Sequence, residues 1–240
     1  MHASVRAAGE APPGTIEHVF DVTDAVGVAA AADMIGDLDA LVANAGIGIA
    51  APLELLPTAE LTRQLDVNVV GQLRVLQAVL PALRRSRGRI VLMGSIGGRS
   101  ALPFLGAYTM SKFALESMAD TLRVELAPFG IVVALIEPGS IATPIWTKPQ
   151  TALDDVPPAR VALYADRIGR FRELAAARMT KGVPADVVAR AVEHALTSPK
   201  PRTRYVVGPD ARRRARVERL PDRVRDRVLT RYLFGPETSR

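Results

Sequence analysis

A tyrosine and a lysine spaced by one helical turn carry the clearest chemical potential in this chain. Tyr108 and Lys112 are four positions apart, so their side chains share one face if the segment is helical. An ammonium group beside a phenol favours the phenolate and lowers the pKa of the tyrosine from about 10 towards neutrality. Tyr108 would then act as an acid or base near pH 7. The alternative is a surface tyrosine beside a solvated lysine.

Further polar residues follow the predicted strands of a sheet. Asn44-Ala45-Gly46, Ser95 and the segment from Pro138 to Thr143 each come directly after an apolar run, and Asn68 lies in a predicted helix between them. Open α/β sheets bind ligands at the carboxyl ends of their strands, so these residues are expected to surround one site. Ser95 could hydrogen-bond the same substrate oxygen as Tyr108. The combination is far more specific than any single member.

The elements that must position these residues alternate between short apolar runs and longer helical patterns, which is typical of βα units and a parallel sheet. The predicted strands are Thr15–Phe20, Asp39–Ala43, Arg89–Gly94, Gly130–Ile136 and Thr203–Val207. The predicted helices are Asp24–Gly36, Thr58–Arg85, Ala107–Pro128, Pro158–Thr180 and Pro184–Thr197. Pro81 is expected to kink the second helix or end it early. The pattern predicts an α/β fold.

Composition and charge narrow the classes of protein. The chain has 240 residues, 48% hydrophobic and 23% charged, which excludes a disordered chain. The absence of cysteine fits a reducing, cytoplasmic location, and no apolar stretch is long enough to span a membrane. The net charge of +6 comes from residues 211–240, which hold ten arginines and four carboxylates. We therefore expect residues 1–210 to form the domain and residues 211–240 an arginine-rich helical tail.

Two classes of partner are not predicted. The body of the chain is balanced in charge and shows no basic face with stacking aromatic residues, so nucleic acid is not expected. His2, His18 and His194 have no pattern of partner ligands, so no metal site is expected.

The ordered set of polar residues resembles the short-chain dehydrogenase/reductase family. Asn44-Ala45-Gly46, Asn68, Ser95, Tyr108-x-x-x-Lys112 and Pro138-Gly139 occur in the family's order and at its usual separations. The stretch from Gly88 to Trp146 most resembles the branch that acts on retinols and hydroxysteroids. The resemblance implies a Rossmann-like doubly wound sheet and hydride transfer with a nicotinamide cofactor.

The resemblance also implies a role for each of these residues. Tyr108 would exchange a proton with the substrate oxygen, Ser95 would position that oxygen, and Lys112 would bind the nicotinamide ribose and lower the pKa of Tyr108. Asn68 would hold a water molecule that links Lys112 to solvent. The residues expected to contact the cofactor are Arg6, Asp21, Val22, Asn44, Ala45, Gly46, Tyr108, Lys112, Pro138, Gly139, Ile141 and Thr143. Arg6 favours NADP, although NAD is not excluded, because an arginine at this position in the family pairs with the 2′-phosphate.

One part of the family pattern is missing from this sequence. The family's first strand is followed by Thr-Gly-x-x-x-Gly-x-Gly, whose backbone N–H groups bind the pyrophosphate, and no such motif occurs here. The first Asn-Ala-Gly begins at residue 44, so the residues before it can form only one complete βα unit and part of another. We expect an N-terminally truncated sheet, and we expect the in-frame DNA upstream of Met1 to encode the strand and the loop. A chain remnant with impaired cofactor binding is the alternative.

Three functions are compatible with the sequence. The leading hypothesis is an NADP(H)-dependent oxidoreductase acting on an apolar alcohol or ketone, forming a homodimer or homotetramer through Thr58–Arg85 and Ala107–Pro128. A catalytically impaired, non-enzymatic interaction subunit is the second hypothesis. A membrane-surface contact by the basic tail is the third and is disfavoured. The residues expected to line the apolar pocket are Ile96, Leu102, Phe104, Leu105, Ile145 and Trp146, and Val217, Leu220, Val224 and Val228 are expected to form an apolar stripe on the tail.

Overall fold

The computed structural model describes residues 1–143 and 151–235 and contains two parallel sheets. The smaller sheet pairs β1 (His2–Val5) with β2 (Ile16–Val19). The larger has the order β3-β4-β5-β6, formed by Ala40–Ala43, Arg89–Met93, Val132–Pro138 and Arg204–Val207. The predicted α/β fold and all five predicted strands are confirmed, within a few residues at their ends.

The two central strands of the larger sheet are buried on both faces. Ile90 and Leu92 of β4 and Leu135 of β5 belong to one hydrophobic cluster, whereas Val91 and Ile136 belong to another. Successive side chains of a strand point to opposite faces of the sheet. A continuous apolar run therefore gives both faces an apolar surface. This explains why the strands show no polar alternation.

Helices complete each cluster. The nine α-helices of the described chain are α1 (Ala25–Met34), α2 (Thr58–Leu65), α3 (Gln72–Ser86), α4 (Gly106–Glu125), α5 (Pro158–Ala162), α6 (Ala165–Thr180), α7 (Ala185–Thr197), α8 (Pro209–Val217) and α9 (Asp222–Phe234). Leu83 of α3 and Ala119 of α4 pack on one face of the larger sheet, and Val188 and Ala195 of α7 pack on the other. The sheet is therefore doubly wound.

The helix predicted from Thr58 to Arg85 is continuous but irregular. Between α2 and α3, residues Asp66–Gly71 form one wide turn of π-helix. The expectation that Pro81 would end this helix early is wrong, because α3 continues to Ser86. The alternative expectation, a kink at Pro81, stays a prediction. Pro81 has no N–H to donate to the Gln77 carbonyl, but both residues are exposed, so water can bond that carbonyl instead. The buried Leu83 keeps the helix packed on the sheet.

Residues 211–235 are also largely helical, but they do not form one continuous amphipathic helix. α8 begins at Pro209 and packs against β6 and against the turn Ile96–Gly98. α8 ends at Val217, and α9 starts after Pro221, so the predicted apolar stripe is divided between two helices and the turn that joins them. The helix predicted over Pro158–Thr180 likewise breaks between α5 and α6. Among the described residues, no helix is long and apolar enough to cross a membrane.

Candidate active site

The carboxyl ends of β3, β4 and β5 open into one large cavity of about 1290 Å³. Asn44 and Gly46 contribute from the end of β3, and Ser95 follows β4. Most of the sequence-predicted site residues meet here: the lining includes Asn44, Gly46, Ser95, Tyr108, Lys112, Pro138, Gly139, Ile141 and Thr143. The residues predicted from the strand ends therefore lie together on one cavity, and their roles at a site stay a prediction.

Ser95, Tyr108 and Lys112 form the polar floor of this cavity. The Ser95 hydroxyl is hydrogen-bonded to the Tyr108 side chain and accepts a bond from the Gly97 N–H at 3.0 Å. Lys112 Nζ donates to the Met93 carbonyl at 2.8 Å and lies 5.6 Å from the centre of the Tyr108 ring. The start of α4 thus presents a phenol and an ammonium side by side, with a serine hydroxyl in contact with the phenol.

Burial dominates the acidity of both groups on α4. Burial raises the pKa of Tyr108 above its ordinary value, while the Ser95 hydrogen bond and the positive charge of Arg214 act in the opposite direction. Burial also lowers the pKa of Lys112 to about 8. The expected lowering of the Tyr108 pKa below its ordinary value is therefore absent, because the cost of burying a phenolate exceeds the stabilisation by its neighbours.

Asn68 shapes the loop after β3. Its side chain is fully buried in the π-helical turn and bonds both the N–H and the carbonyl of Ile47, at 2.8 and 3.0 Å. It also donates to the Ser111 hydroxyl on α4 at 3.0 Å. Gln64 holds the same loop through Ile47 and Ile49. Asn68 thus ties the end of β3 to the helix that carries Tyr108, and π-helical turns of this kind recur at functional sites.

The segment after β5 is held by a carboxylate on α8. Asp210 Oδ2 accepts a hydrogen bond from the Ser140 N–H at 2.8 Å. Its other carboxylate oxygen lies where a Cβ on Gly139 would be, so no larger residue fits at that position. The first turn of α8 therefore fixes the segment from Pro138 to Thr143 at the cavity. The sequence alone gave no sign of this contact.

Some predicted cofactor residues lie outside the cavity lining. Arg6 is exposed after β1, and Ala45 uses its carbonyl to accept a bond from the Gln72 side chain. Val22 packs against Gly71. The pKa of Asp21 is lowered, mainly by hydrogen bonds from the backbone and side chain of Thr23, with a smaller contribution from the charge of Arg6. Their predicted contacts with a cofactor remain predictions.

The apolar part of the predicted pocket is present where it is described. Ile96, Leu102, Phe104 and Leu105 all line the cavity. Ile145 and Trp146 lie outside the described residues. Helix α6 adds Ile168, Phe171, Leu174 and Met179 to the wall. The cavity therefore combines a polar floor with a largely apolar wall, which is typical of a small-molecule site.

A residue that sequence reasoning missed also faces this cavity. Arg214 of α8 lines it and donates from Nη2 to the Ser100 carbonyl at 2.7 Å. In the sequence it is one of ten arginines after residue 210, and nothing distinguishes it from the exposed Arg212 and Arg213. Its four-residue spacing from Asp210, which places both on one face of a helix, was the available signal.

Comparison with known proteins identifies chains that are similar to this one. A family model described as short chain dehydrogenase matches residues 4–153. Human 17-beta-hydroxysteroid dehydrogenase type 1 is 46% identical over 151 residues, which cover 60% of this chain and 46% of the relative. The chain thus spans about half the length of that relative. Human short-chain dehydrogenase/reductase family 9C member 7 is 35% identical over 243 residues, covering 92% of this chain and 75% of the relative.

A solved structure agrees with this similarity. A short chain dehydrogenase from Burkholderia cenocepacia, crystallised in complex with NADP, aligns with a TM-score of 0.71 and 26% identity. The alignment covers 98% of this chain and 86% of that chain.

Proposed function

Because this chain belongs to the short-chain dehydrogenase/reductase family, in the branch related to retinol and hydroxysteroid dehydrogenases, we propose that it interconverts an apolar alcohol and its carbonyl compound with NADP(H). The observation that carries the proposal is the convergence of Ser95, Tyr108 and Lys112 on one cavity. A surface tyrosine with a solvated lysine would not be buried in this way, since Lys112 is only 5% exposed.

The described residues fit the nicotinamide and ribose portion of such a cofactor. The ends of β3 and β5 supply Asn44, Gly46 and the segment from Pro138 to Thr143 on the same cavity as Lys112. Lys112 would hold the ribose, and the segment after β5 would cover the nicotinamide. NADPH is the favoured form, since the related Burkholderia structure contains NADP. When bound, the cofactor supplies or accepts the hydride.

The residues of the chain then manage the proton and the substrate oxygen. Ser95 Oγ and Tyr108 Oη are hydrogen-bonded to each other, so a carbonyl oxygen placed between them can accept a bond from each. In the direction of reduction, Tyr108 gives its proton to the oxygen as an alkoxide develops. The positive charge of Lys112 stabilises the phenolate that remains, and Asn68 would hold the water through which Tyr108 is reprotonated.

The wall of the cavity supports an apolar substrate. Leu102, Phe104 and Leu105 come from the loop before α4, and Phe171 faces them from α6. Phe104 packs edge-to-face on Phe171 with ring centres 5.4 Å apart. Burying the hydrocarbon part of a substrate on this wall would provide most of its binding free energy, and the polar floor would orient its oxygen.

The proposal is tested by following NADPH absorbance with a panel of apolar ketones, aldehydes and alcohols. We expect carbonyl-dependent oxidation of NADPH that is faster with larger apolar substrates than with acetone. The protein mixed with NADPH and no substrate serves as the control. Absence of turnover on every substrate, despite measurable NADPH binding, would favour the non-enzymatic alternative.

Replacing Ser95 by alanine should lower kcat by about 10²-fold, because an oriented hydrogen bond to the developing oxyanion is lost. Ser117 lies on the exposed face of α4, so Ser117→Ala is the matched control and should leave kcat unchanged. Initial rates with saturating NADPH measure both variants. An unaltered kcat in Ser95→Ala would show that this hydroxyl does not contact the reacting oxygen.

We further propose that the chain forms a homodimer or homotetramer. Large apolar side chains are exposed on the helices predicted to pair: Val70 is 47% exposed, Met110 40%, Phe113 45% and Val124 71%. Light scattering at micromolar concentration should give at least a dimer mass, and Phe113→Glu should lower that mass towards the monomer. Val26→Glu on α1, where Val26 is 79% exposed, is the control. A monomer mass for the unmodified chain contradicts the proposal.

A further inference from the structure

The cavity is more positively charged than an apolar alcohol or ketone requires. Among residues 1–143 and 151–235, its lining includes four basic residues, Lys112, Arg172, Arg178 and Arg214, and a single acidic residue, Glu193. Lys112 belongs to the polar floor that it forms with Ser95 and Tyr108. The three arginines come from α6 and α8, on the side where the apolar wall of the pocket lies.

Arg214 is fixed in place by two bonds to one residue. Its Nη2 donates to the Ser100 carbonyl at 2.7 Å and its Nε to the Ser100 hydroxyl at 3.4 Å. One turn earlier on α8, Asp210 binds the Ser140 N–H. The helix is therefore anchored at both points, and the guanidinium is held near Tyr108 without the flexibility of a surface arginine.

The positive charge of Arg214 is not paired with a carboxylate in the part of the chain that the structure describes. Within residues 1–143 and 151–235, no carboxylate lies within ion-pair distance of its guanidinium. The carboxylates of Asp210 and Glu218 act to raise the pKa of Arg214. Asp210, however, accepts a hydrogen bond from the Ser140 N–H, and Glu218 accepts one from Arg225. Burial, with the like charge of Arg178, lowers the pKa of Arg214 to about 10, yet the group stays charged at neutral pH. A desolvated charge of this kind is normally compensated by an anion.

We propose that Arg214, with Arg178 beside it, binds a carboxylate carried by an otherwise apolar carbonyl or alcohol substrate. This inference rests on the proposed function and narrows its substrate to an oxo acid or hydroxy acid. A guanidinium matches a carboxylate in geometry and forms charge-assisted hydrogen bonds with it, which are stronger where water is excluded. The apolar wall formed by Leu102, Phe104 and Phe171 would contact the hydrocarbon chain between the two polar ends.

Arg214 is bonded to a different loop from the two strand-end segments assigned to the cofactor. Those segments follow β3 and β5, whereas Arg214 bonds Ser100 in the loop after β4 and lies near Tyr108, which would face both cofactor and substrate. A role towards the cofactor is therefore a distinct outcome, and it is measured directly in the experiment below.

The experiment compares a medium-chain oxo acid with its methyl ester, which differ only in the charge and size of one end. Affinities are measured by isothermal titration calorimetry in the presence of NADP⁺. We expect the acid to bind the unmodified protein about 10- to 100-fold more tightly than the ester, the range of a charge-assisted hydrogen bond. Arg214→Gln should reduce this preference to about twofold or less. Arg213→Gln, an exposed neighbour on the same helix, should retain it.

Two further variants guard against a folding defect. Arg214→Lys keeps the positive charge and should retain part of the preference for the acid. Arg178→Gln should weaken that preference while leaving the hydrogen bonds between Arg214 and Ser100 in place. Equal affinity for acid and ester, or no measurable binding of either, would overturn the inference. A loss of NADPH affinity in Arg214→Gln with the acid preference intact would overturn it as well. Selective binding of the acid without any NADPH oxidation would instead leave the anion site standing and refute the proposed function.

Discussion

Replacing Tyr108 by phenylalanine should lower kcat by about 10³- to 10⁴-fold while leaving the fold intact. The change removes one oxygen atom from a side chain that already packs beside Gly97, so the helix start keeps its shape. In the proposed reaction, the lost hydroxyl gives its proton to the substrate oxygen. Burial raises the pKa of Tyr108, so the phenol is protonated at neutral pH and ready to act as an acid in the direction of carbonyl reduction.

The control for this variant is Tyr164→Phe. Tyr164 also donates a hydrogen bond, to Glu54 at 2.7 Å, but does so at the exposed surface of the helical region after β5. Its loss should change kcat less than about twofold, since surface substitutions have small effects. Single-turnover rates with saturating NADPH compare the two. Retention of more than a tenth of the activity by Tyr108→Phe would show that another group supplies the proton.

Replacing Lys112 by methionine should abolish turnover and, at the same time, stabilise the fold. Burial lowers the pKa of Lys112 from 10.5 to about 8, which corresponds to about 3 kcal/mol of destabilisation by the buried charge at pH 7. Methionine fills a similar space without that charge. The variant also loses the hydrogen bond from Lys112 Nζ to the Met93 carbonyl, which contributes about 1 kcal/mol. We expect a net increase of about 2 kcal/mol in the free energy of unfolding.

The dependence of this effect on pH follows from the direction of the shift. Between the folded pKa near 8 and the unfolded pKa of 10.5, the unfolded chain binds more protons at Lys112 than the folded chain does. The stability of the unmodified protein therefore rises with pH in that window, and the advantage of Lys112→Met shrinks there. Urea denaturation at pH 7 and near pH 10 measures both values. Lys200→Met, at an exposed position, should show neither effect, and a destabilised Lys112→Met at pH 7 would contradict the argument.

The sequence was sufficient for the sheet and for the polar floor of the site because both depend on local order. Ser95 follows an apolar run directly, and the run itself defines a buried strand, so the serine had to lie at a strand end. Tyr108 and Lys112 share a helix face whatever surrounds that helix. These inferences need no knowledge of distant residues, and all three side chains line the same cavity.

What the sequence could not supply depends on burial and on contacts between distant segments. The raised pKa of Tyr108 reflects how completely the residue is covered, which spacing does not reveal. Pro81 does not end α3, as the sequence had suggested it could, because it occupies the exposed face of that helix. Arg214 and Asp210 lie 114 and 70 residues from the groups that they bond, and the surrounding arginines concealed both.

The attachment of α8 has a consequence for the order in which the protein assembles during its synthesis. In chain order, α8 follows all six strands of the described residues, so the ribosome makes it after the sheet. A nascent chain can therefore assemble its hydrophobic core while the segment after β5 still lacks the Asp210 anchor and the cavity still lacks Arg214. Domains fold as they emerge, so the core of this one can form before its candidate active site. The residues proposed to contact the substrate can therefore reach their final positions later than the hydrophobic core.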